Sequence, residues 1–255
     1  MLELYNSPSS TCSQKVRLCL AEKDLDWADR RVNTLADEHL APQYLKLNPN
    51  GVVPTLVHDG RPILDSSVIC EYLDEVFPAV RLSPPDAAGR ARMRAWMRFL
   101  EEVPTPAIRV PSFHLALARR FGELDAGRFH AEVADRRPLR KHFYRRMGPR
   151  GFSPRQVAEA LEELGLALTR MEEALAHGPW LAGEQLTLAD LVALPFVDRM
   201  DDLGLAPMWA ELPQVAGWYR RLAQRPSYAK TYYSGARLSA RLEIDRLEPA
   251  LIPAC

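Results

Sequence analysis

The spacing of apolar positions changes character once along the chain, near residue 78. Before that point, short runs of strand length stand between helical patterns. Residues 2–6 ("LELYN") alternate as a half-buried strand does. Residues 11–23 place Val16, Cys19, Leu20 and Lys23 on one side of a helix. "WADRRVN" reads as a second strand and 38–47 as a short helix. "TLV" and "RPIL" flank "HDG", whose Asp-Gly accepts the left-handed backbone of a tight hairpin. "SSVICEYLDEVF" then puts Val68, Ile69, Tyr72, Leu73 and Val76 on one helical stripe. The predicted order is β-α-β-α-β-β-α, an α/β layer.

"FPAVRLSPPDAAG" (Phe77–Gly89) holds three prolines and no period, and strand patterns stop after it. Helical patterns follow over 86–103, 112–132, 154–177, 187–204 and 213–225. The strongest is 157–175, where Val157, Leu161, Leu164, Leu168, Met171 and Leu175 step by four and three in turn, as a bundle seam does. Pro104, Pro106 and Pro111 predict a break or kink after the helix at 86–103. The expected organisation is an α/β domain at 1–78, a linker at 79–89 and an all-helical domain at 90–255.

Charge and composition narrow the function. Acidic and basic residues balance at 33 each, against a general nucleic-acid or membrane binder. No run reaches the roughly 18 apolar residues of a membrane span. "MLELYNSP" opens directly on strand-like alternation, with no signal peptide before it. Cys12, Cys19, Cys70 and Cys255 lack metal spacing and read as reduced thiols of a cytoplasm. No metal cluster, P-loop or GxGxxG occurs, which argues against metal and nucleotide chemistry. From 136 to 156 the chain carries Arg136, Arg137, Arg140, Lys141, Arg145, Arg146, Arg150 and Arg155 with no carboxylate among them. With a neutral chain this reads first as a solvated connection matched by acids elsewhere, and second as an anion-attracting rim.

Two features go beyond packing: a strand that opens on Val53-Pro54, and Asp65-Ser66 at a helix start. Ser66 is a good N-cap, and a helix start also welcomes a carboxylate; neither accounts for the preceding acid. "LTLADL" supplies Thr187 and Asp190, a capping box read as a folding element.

"NGVVPTL", "DSSVICEYL", "LTLADL" and "LPQVAGWYRRLAQRPSY", in this order, resemble landmarks of the glutathione transferases. The resemblance spans nearly the whole chain. It implies a thioredoxin-like α/β half, a helical half, glutathione as co-substrate and a homodimer. The dimer contact would run from Glu71–Phe77 to 86–100 of the other subunit. It also implies a cis bond at Pro54, turning the Val53 backbone toward the cysteinyl backbone of glutathione, with Asp65 and Ser66 at the γ-glutamyl end. "SSTCSQKVR" resembles the Ser-Ser-Cys-Ser-x-x-Val-Arg turn of the zeta class, whose activating serine falls on Ser10 and second serine on Thr11. Cys12 matches the cysteine that some transferases join to glutathione in a mixed disulfide. Ser10 is the first candidate for thiolate donor. The helical half, with "HFYRRMGPRGFSPRQVAEALEEL", resembles bacterial β-etherases, and aligning on those moves the candidate to Ser13. A hydrophobic, aromatic electrophile is expected between the halves, against residues such as Trp96, Phe113, Phe143 and Tyr144, with Phe99, Val110 and Leu117 near. The same turn leaves open a glutathione-dependent isomerase, a thiol-disulfide reductase using Cys12, or a non-catalytic binding module.

Overall fold

The computed structural model describes residues 1–242 together with 244 and 247; Cys255 and the end of the helical domain expected to 255 lie outside the described residues. A four-stranded sheet has the order β2-β1-β3-β4. Its strands are β1 (Leu2–Asn6), β2 (Ala28–Arg31), β3 (Thr55–His58) and β4 (Arg61–Leu64). β1 runs parallel to β2 and antiparallel to β3, with Leu4 facing both Asp29 and Leu56; β3 and β4 form the hairpin. Asp59 and Gly60 both take left-handed backbone, at φ 48° and 80°, as the Asp-Gly pair requires. Leu2, Leu4 and Leu56 are buried against α1 (Thr11–Glu22) and α3 (Ser66–Val76).

The chain's α/β half is completed by α2 (Pro42–Leu47). The helix expected at 38–47 is split: Glu38–Leu40 form a 3-10 turn and Ala41 is extended, the conformation that the ring of Pro42 imposes on its predecessor. On α3 the buried stripe is Ile69, Cys70 and Leu73, whereas Val68 and Val76 are 45% and 42% exposed. The stripe drawn from sequence is therefore too wide at its ends. The helix cap is also one residue earlier than expected. Asp65, at φ 70°, is the N-cap, its Oδ1 accepting from the amides of Ser67 (2.9 Å) and Val68 (3.1 Å), and Ser66 is the first helical residue. Aspartate tolerates left-handed backbone better than most residues and its carboxylate reaches two free amides, so it displaces serine from the cap.

Helices make up the rest. α4 (Ala87–Glu102) ends where Pro104 starts α5 (Pro104–Ala116). The single helix expected at 112–132 is not formed. α5 stops at Ala116, a 3-10 turn runs over Ala118–Phe121, and Asp125 caps a new short helix, α6 (Ala126–Phe129), followed by a π turn at His130–Ala134. Gly122 and the Asp125 cap favour a restart over continuation. α7 (Lys141–Met147) lies inside the basic stretch, too short and too cationic to show a period. α8 (Pro154–Leu175) buries the whole predicted seam from Val157 to Leu175. Then come α9 (Leu188–Asp202), α10 (Pro207–Ala210), α11 (Pro213–Ala223) and α12 (Pro226–Thr231). Among the described residues no helix is long and apolar enough to cross a membrane.

α1 joins the halves, packing on α3 within its own layer and on α9 and α12 of the helical layer. α9 is buried on all sides, and its start is fixed by Asp190. That carboxylate accepts from the amides of Leu181 and Thr187 and the indole of Trp218, all at 2.9 Å, and from the Thr187 hydroxyl at 3.2 Å. Burial pushes its pKa up, and the four donors offset only part of that rise. Asp190→Ala would strand several dry donors at once, at about 1–3 kcal/mol each. The expected outcome is a clearly lower urea midpoint with an unchanged slope; an unmoved midpoint would contradict this account of α9.

Candidate active site

The turn from β1 into α1 is built from hydroxyls and backbone carbonyls. Ser10 caps α1, its Oγ accepting from the Ser13 amide at 3.3 Å. The Ser7 amide donates to Ser13 Oγ at 3.3 Å, and Ser13 is fully buried inside the turn. Two buried arginines hold the outside of the turn. Arg17 donates to Asn6 Oδ1 (2.8 Å), to the carbonyls of Ser7 (3.3 Å) and Pro8 (2.7 Å), and to that of Thr231 (3.4 Å). Arg199 on α9 donates to the Ser9 carbonyl and pairs with Asp202 at 3.2 Å. Burial lowers both guanidinium pKa values; the nearby Tyr233 and Asp202, respectively, oppose it.

Beside this turn is a cavity between the two halves. Ser7, Ser9, Ser10, Thr11 and Cys12 form one wall. Thr34, His39, Gly51, Val52 and Val53 form the floor. The Val53-Pro54 bond is cis, and the Val53 amide and carbonyl carry no hydrogen bond among the described residues. Burial holds His39 down to about 4; Asp37 opposes the shift and Arg137 adds to it, so the ring is neutral at pH 7. The far wall comes from α5, the start of α7 and α9, with Phe113, Leu117, Phe121 and Tyr144 as its apolar surface. Phe113 meets Tyr144 edge-on at 5.7 Å, and Phe143 packs behind both at 5.0 and 5.8 Å. Burial raises the Tyr144 phenol, and Arg137 lies over its ring at 4.3 Å.

Of the residues singled out from sequence, Ser10, Thr11, Cys12, Val53, Phe113, Leu117 and Tyr144 line this one cavity. Pro54 is buried next to it. Ser13 and Phe143 sit one layer behind, and Val110 is buried in the core. Asp65 is exposed and Ser66 buried at the start of α3, off the cavity wall itself. Trp96 is elsewhere: with Phe99 it lies beneath the Arg170 guanidinium, at 5.2 and 4.1 Å from the ring centres. The basic stretch divides. Arg145 and Lys141 pair with Asp135, and Arg155 with Glu159, so these cations do find acids outside 136–156 or at its edge, as the first reading expects. Arg137 and Arg140 instead face the cavity, although Arg137 also pairs with Asp37 at 2.7 Å. Arg109, Arg120, Arg199, Thr34 and His39 were missed. Only the arginine run hinted at this wall, because a partner across the fold cannot be read from local spacing.

Two family models match the chain: the N-terminal domain of glutathione S-transferase over residues 9–76 and its C-terminal domain over 138–226. The chain belongs to the glutathione S-transferase family. Protein LigF from Sphingobium sp. is 26% identical to it over 92% of this chain and 95% of its own. The crystal structure of the β-etherase LigF from Sphingobium sp. superposes with a TM-score of 0.81, over 91% of this chain and 98% of that one. The glutathione S-transferase TCHQD of Arabidopsis thaliana is 27% identical over 94% of each chain. A maleylacetoacetate isomerase of Pseudomonas aeruginosa is 44% identical over 36% of this chain and 45% of its own. As an enzyme of this family the chain uses glutathione as co-substrate.

In this glutathione S-transferase the shape of the β1–α1 turn depends on Arg17. Arg17→Met removes donors from three carbonyls and one amide oxygen in a dry site. At about 1 kcal/mol per bond the expected loss is about 2–4 kcal/mol. Urea unfolding checks it; a change below about 0.5 kcal/mol, the size of an ordinary surface substitution, would show that the turn stands without its brace.

Proposed function

We propose that glutathione lies along the free backbone edge of Val53 with its thiol at the start of α1 beside Ser10. The thiolate then attacks an aromatic electrophile resting on Phe113 and Tyr144. The observation that carries this reading is the single cavity joining the α1 turn to an aromatic wall of the helical half. The Val53 amide and carbonyl suit the peptide backbone of a cysteinyl residue. Asp65 uses Oδ1 as a cap on the amides of Ser67 and Val68, leaving Oδ2 for the γ-glutamyl ammonium, while the Ser66 amide, without an acceptor among the described residues, and the positive end of α3 suit its carboxylate.

A free thiol has a pKa near about 8.5, so at pH 7 only a few per cent is thiolate. Ser10 Oγ already accepts from Ser13, and its own proton remains to donate to sulfur. The positive end of the α1 dipole works in the same direction. For a β-aryl ether, the finer reading that the likeness to LigF supports, sulfur forms a bond to the carbon and the C–O bond breaks. The aryloxide leaves with the bonding pair and takes its proton from water.

Ser10→Ala removes a charge-assisted bond worth about 1.5–3 kcal/mol. The bound thiol's pKa should rise by roughly one to two units, at about 1.4 kcal/mol per unit. The rate near pH 7 should fall about ten- to a hundredfold with little change in glutathione affinity. Absorbance of the thiolate in the binary complex, titrated from about pH 5 to 9, reads this directly. A pKa that stays put in Ser10→Ala and rises in Thr11→Ala assigns the role to Thr11. Loss of all turnover in Cys12→Ala, with a glutathione adduct on Cys12 in the wild type by mass spectrometry, replaces the transferase reading by a thiol-disulfide one.

The same reading includes a cytoplasmic homodimer. Its support is the pair of exposed valines, Val68 and Val76, on α3, next to the α3–α4 ion pair of Glu71 with Arg94 at 2.9 Å. Sedimentation at micromolar concentration should give twice 28.8 kDa; a 28.8 kDa monomer alone would remove the dimer from the account.

A further inference from the structure

Five arginines line the cavity, Arg109, Arg120, Arg137, Arg140 and Arg199, and no aspartate or glutamate does. Three of them are already engaged. Arg199 pairs with Asp202, Arg137 with Asp37, and Arg120 donates to the Leu35 carbonyl at 2.6 Å. The guanidiniums of Arg109 and Arg140 make no ion pair or hydrogen bond among the described residues. The carboxylate whose field reaches both is Glu101, and it is taken up by Lys15 Nζ at 2.6 Å and by the Ser67 hydroxyl. A desolvated cation without a counter-ion is costly, and structures retain one where a ligand supplies the missing charge. Arg140 shows the imbalance: burial lowers it to about 10, Arg109 adds to the shift, and Cys12 opposes it.

Placement gives the shape of the missing group. Arg109 stands four residues before Phe113 on α5, and Arg140 four residues before Tyr144 at the start of α7. On a helix that spacing puts the guanidinium beside the ring on one face. The two rings touch edge-on at 5.7 Å, all four side chains line the same cavity, and Arg109 is near enough for its charge to act on Arg140. Glutathione does not use these cations in the pose proposed above. Its γ-glutamyl end goes to the start of α3, and its other end runs past Val53 toward Thr34 and His39, where Arg120 and Arg137 are tied to the same loop through Leu35 and Asp37.

We propose that Arg109 and Arg140 form a carboxylate-binding fork, and that the second substrate is an aromatic electrophile carrying a carboxylate, its ring on Phe113 and Tyr144. The planar guanidinium matches a carboxylate with two parallel bonds, which a neutral analogue cannot satisfy. This inference rests on the transferase reading of the cavity and adds the charge of its substrate.

The test uses the full chain with glutathione and two probes, 4-chloro-3-nitrobenzoate and 4-chloro-3-nitrobenzamide. In each, the thiolate forms a C–S bond at the chlorine-bearing carbon, chloride leaves with the bonding pair, and the thiol proton goes to solvent. After division by the uncatalysed rates, kcat/KM should favour the benzoate by about ten- to a hundredfold, the worth of a charge-assisted pair. That ratio should collapse toward one in Arg109→Gln and Arg140→Gln, mainly through KM. A wild-type ratio near one, or a ratio unmoved in both variants, overturns the proposal. So does an equal loss for both probes with a raised pKa of the bound thiol in Arg140→Gln, which would give the arginines to the thiolate instead. Calorimetry with 3-nitrobenzoate and 3-nitrobenzamide separates carboxylate binding from thiol transfer. Binding that selects the benzoate and is lost in the variants, without turnover of either electrophile, keeps the fork and removes the transferase reading. Equal turnover of both electrophiles keeps the transferase reading and removes the fork.

Discussion

The turn between β1 and α1 keeps its shape because two buried guanidiniums hold its carbonyls, one from each half of the protein. Arg17 reaches Ser7, Pro8 and, across the interface, Thr231 at the end of α12; Arg199 reaches Ser9 from α9. The Asp202 carboxylate that fixes Arg199 also accepts the amide of Leu238 at 2.8 Å, and Leu238 closes one side of the cavity. A single carboxylate on α9 thus positions both the wall that would activate a thiol and the segment that covers it. The site is an interface property: neither half alone supplies the hydroxyls, the free Val53 edge and the aromatic wall together.

Charge is distributed unevenly within this frame. The chain has 33 acidic and 33 basic residues, yet the cavity wall carries arginines and no carboxylate. In a partly dry site such charges act more strongly than on the surface, where solvent screens them. A thiolate and an anionic co-substrate are both favoured there, and a cationic electrophile is not. The neutral His39, held down by burial and by Arg137, adds a polar group to the floor without adding charge.

Where one segment carried its whole signal, the structure follows the sequence closely. The seam of α8 and the Asp59-Gly60 hairpin were legible because period and backbone preference are local. The first turn of α1 was legible as a cluster of candidates, but the choice within it was not. Ser10 and Ser13 each accept one turn amide and differ in burial: Ser10 lines the cavity and Ser13 is fully buried behind it, which local spacing does not reveal. At α3, Asp65 takes the cap from Ser66 because its φ of 70° points the carboxylate at two amides. The wide stripe on the same helix failed at Val68 and Val76 because period alone does not say where neighbouring elements end. Arg199 was hidden in a helix buried on all sides, and Arg140 in a run of cations whose other members do pair with acids.

The central claim is the location of the sulfur. The most direct measurement is a crystal structure of the protein with glutathione bound, read at the cysteinyl sulfur. The account predicts sulfur within hydrogen-bond reach of Ser10 Oγ, with the cysteinyl backbone paired to the amide and carbonyl of Val53. Sulfur joined to Cys12 as a disulfide, or glutathione seated away from Val53, would contradict it.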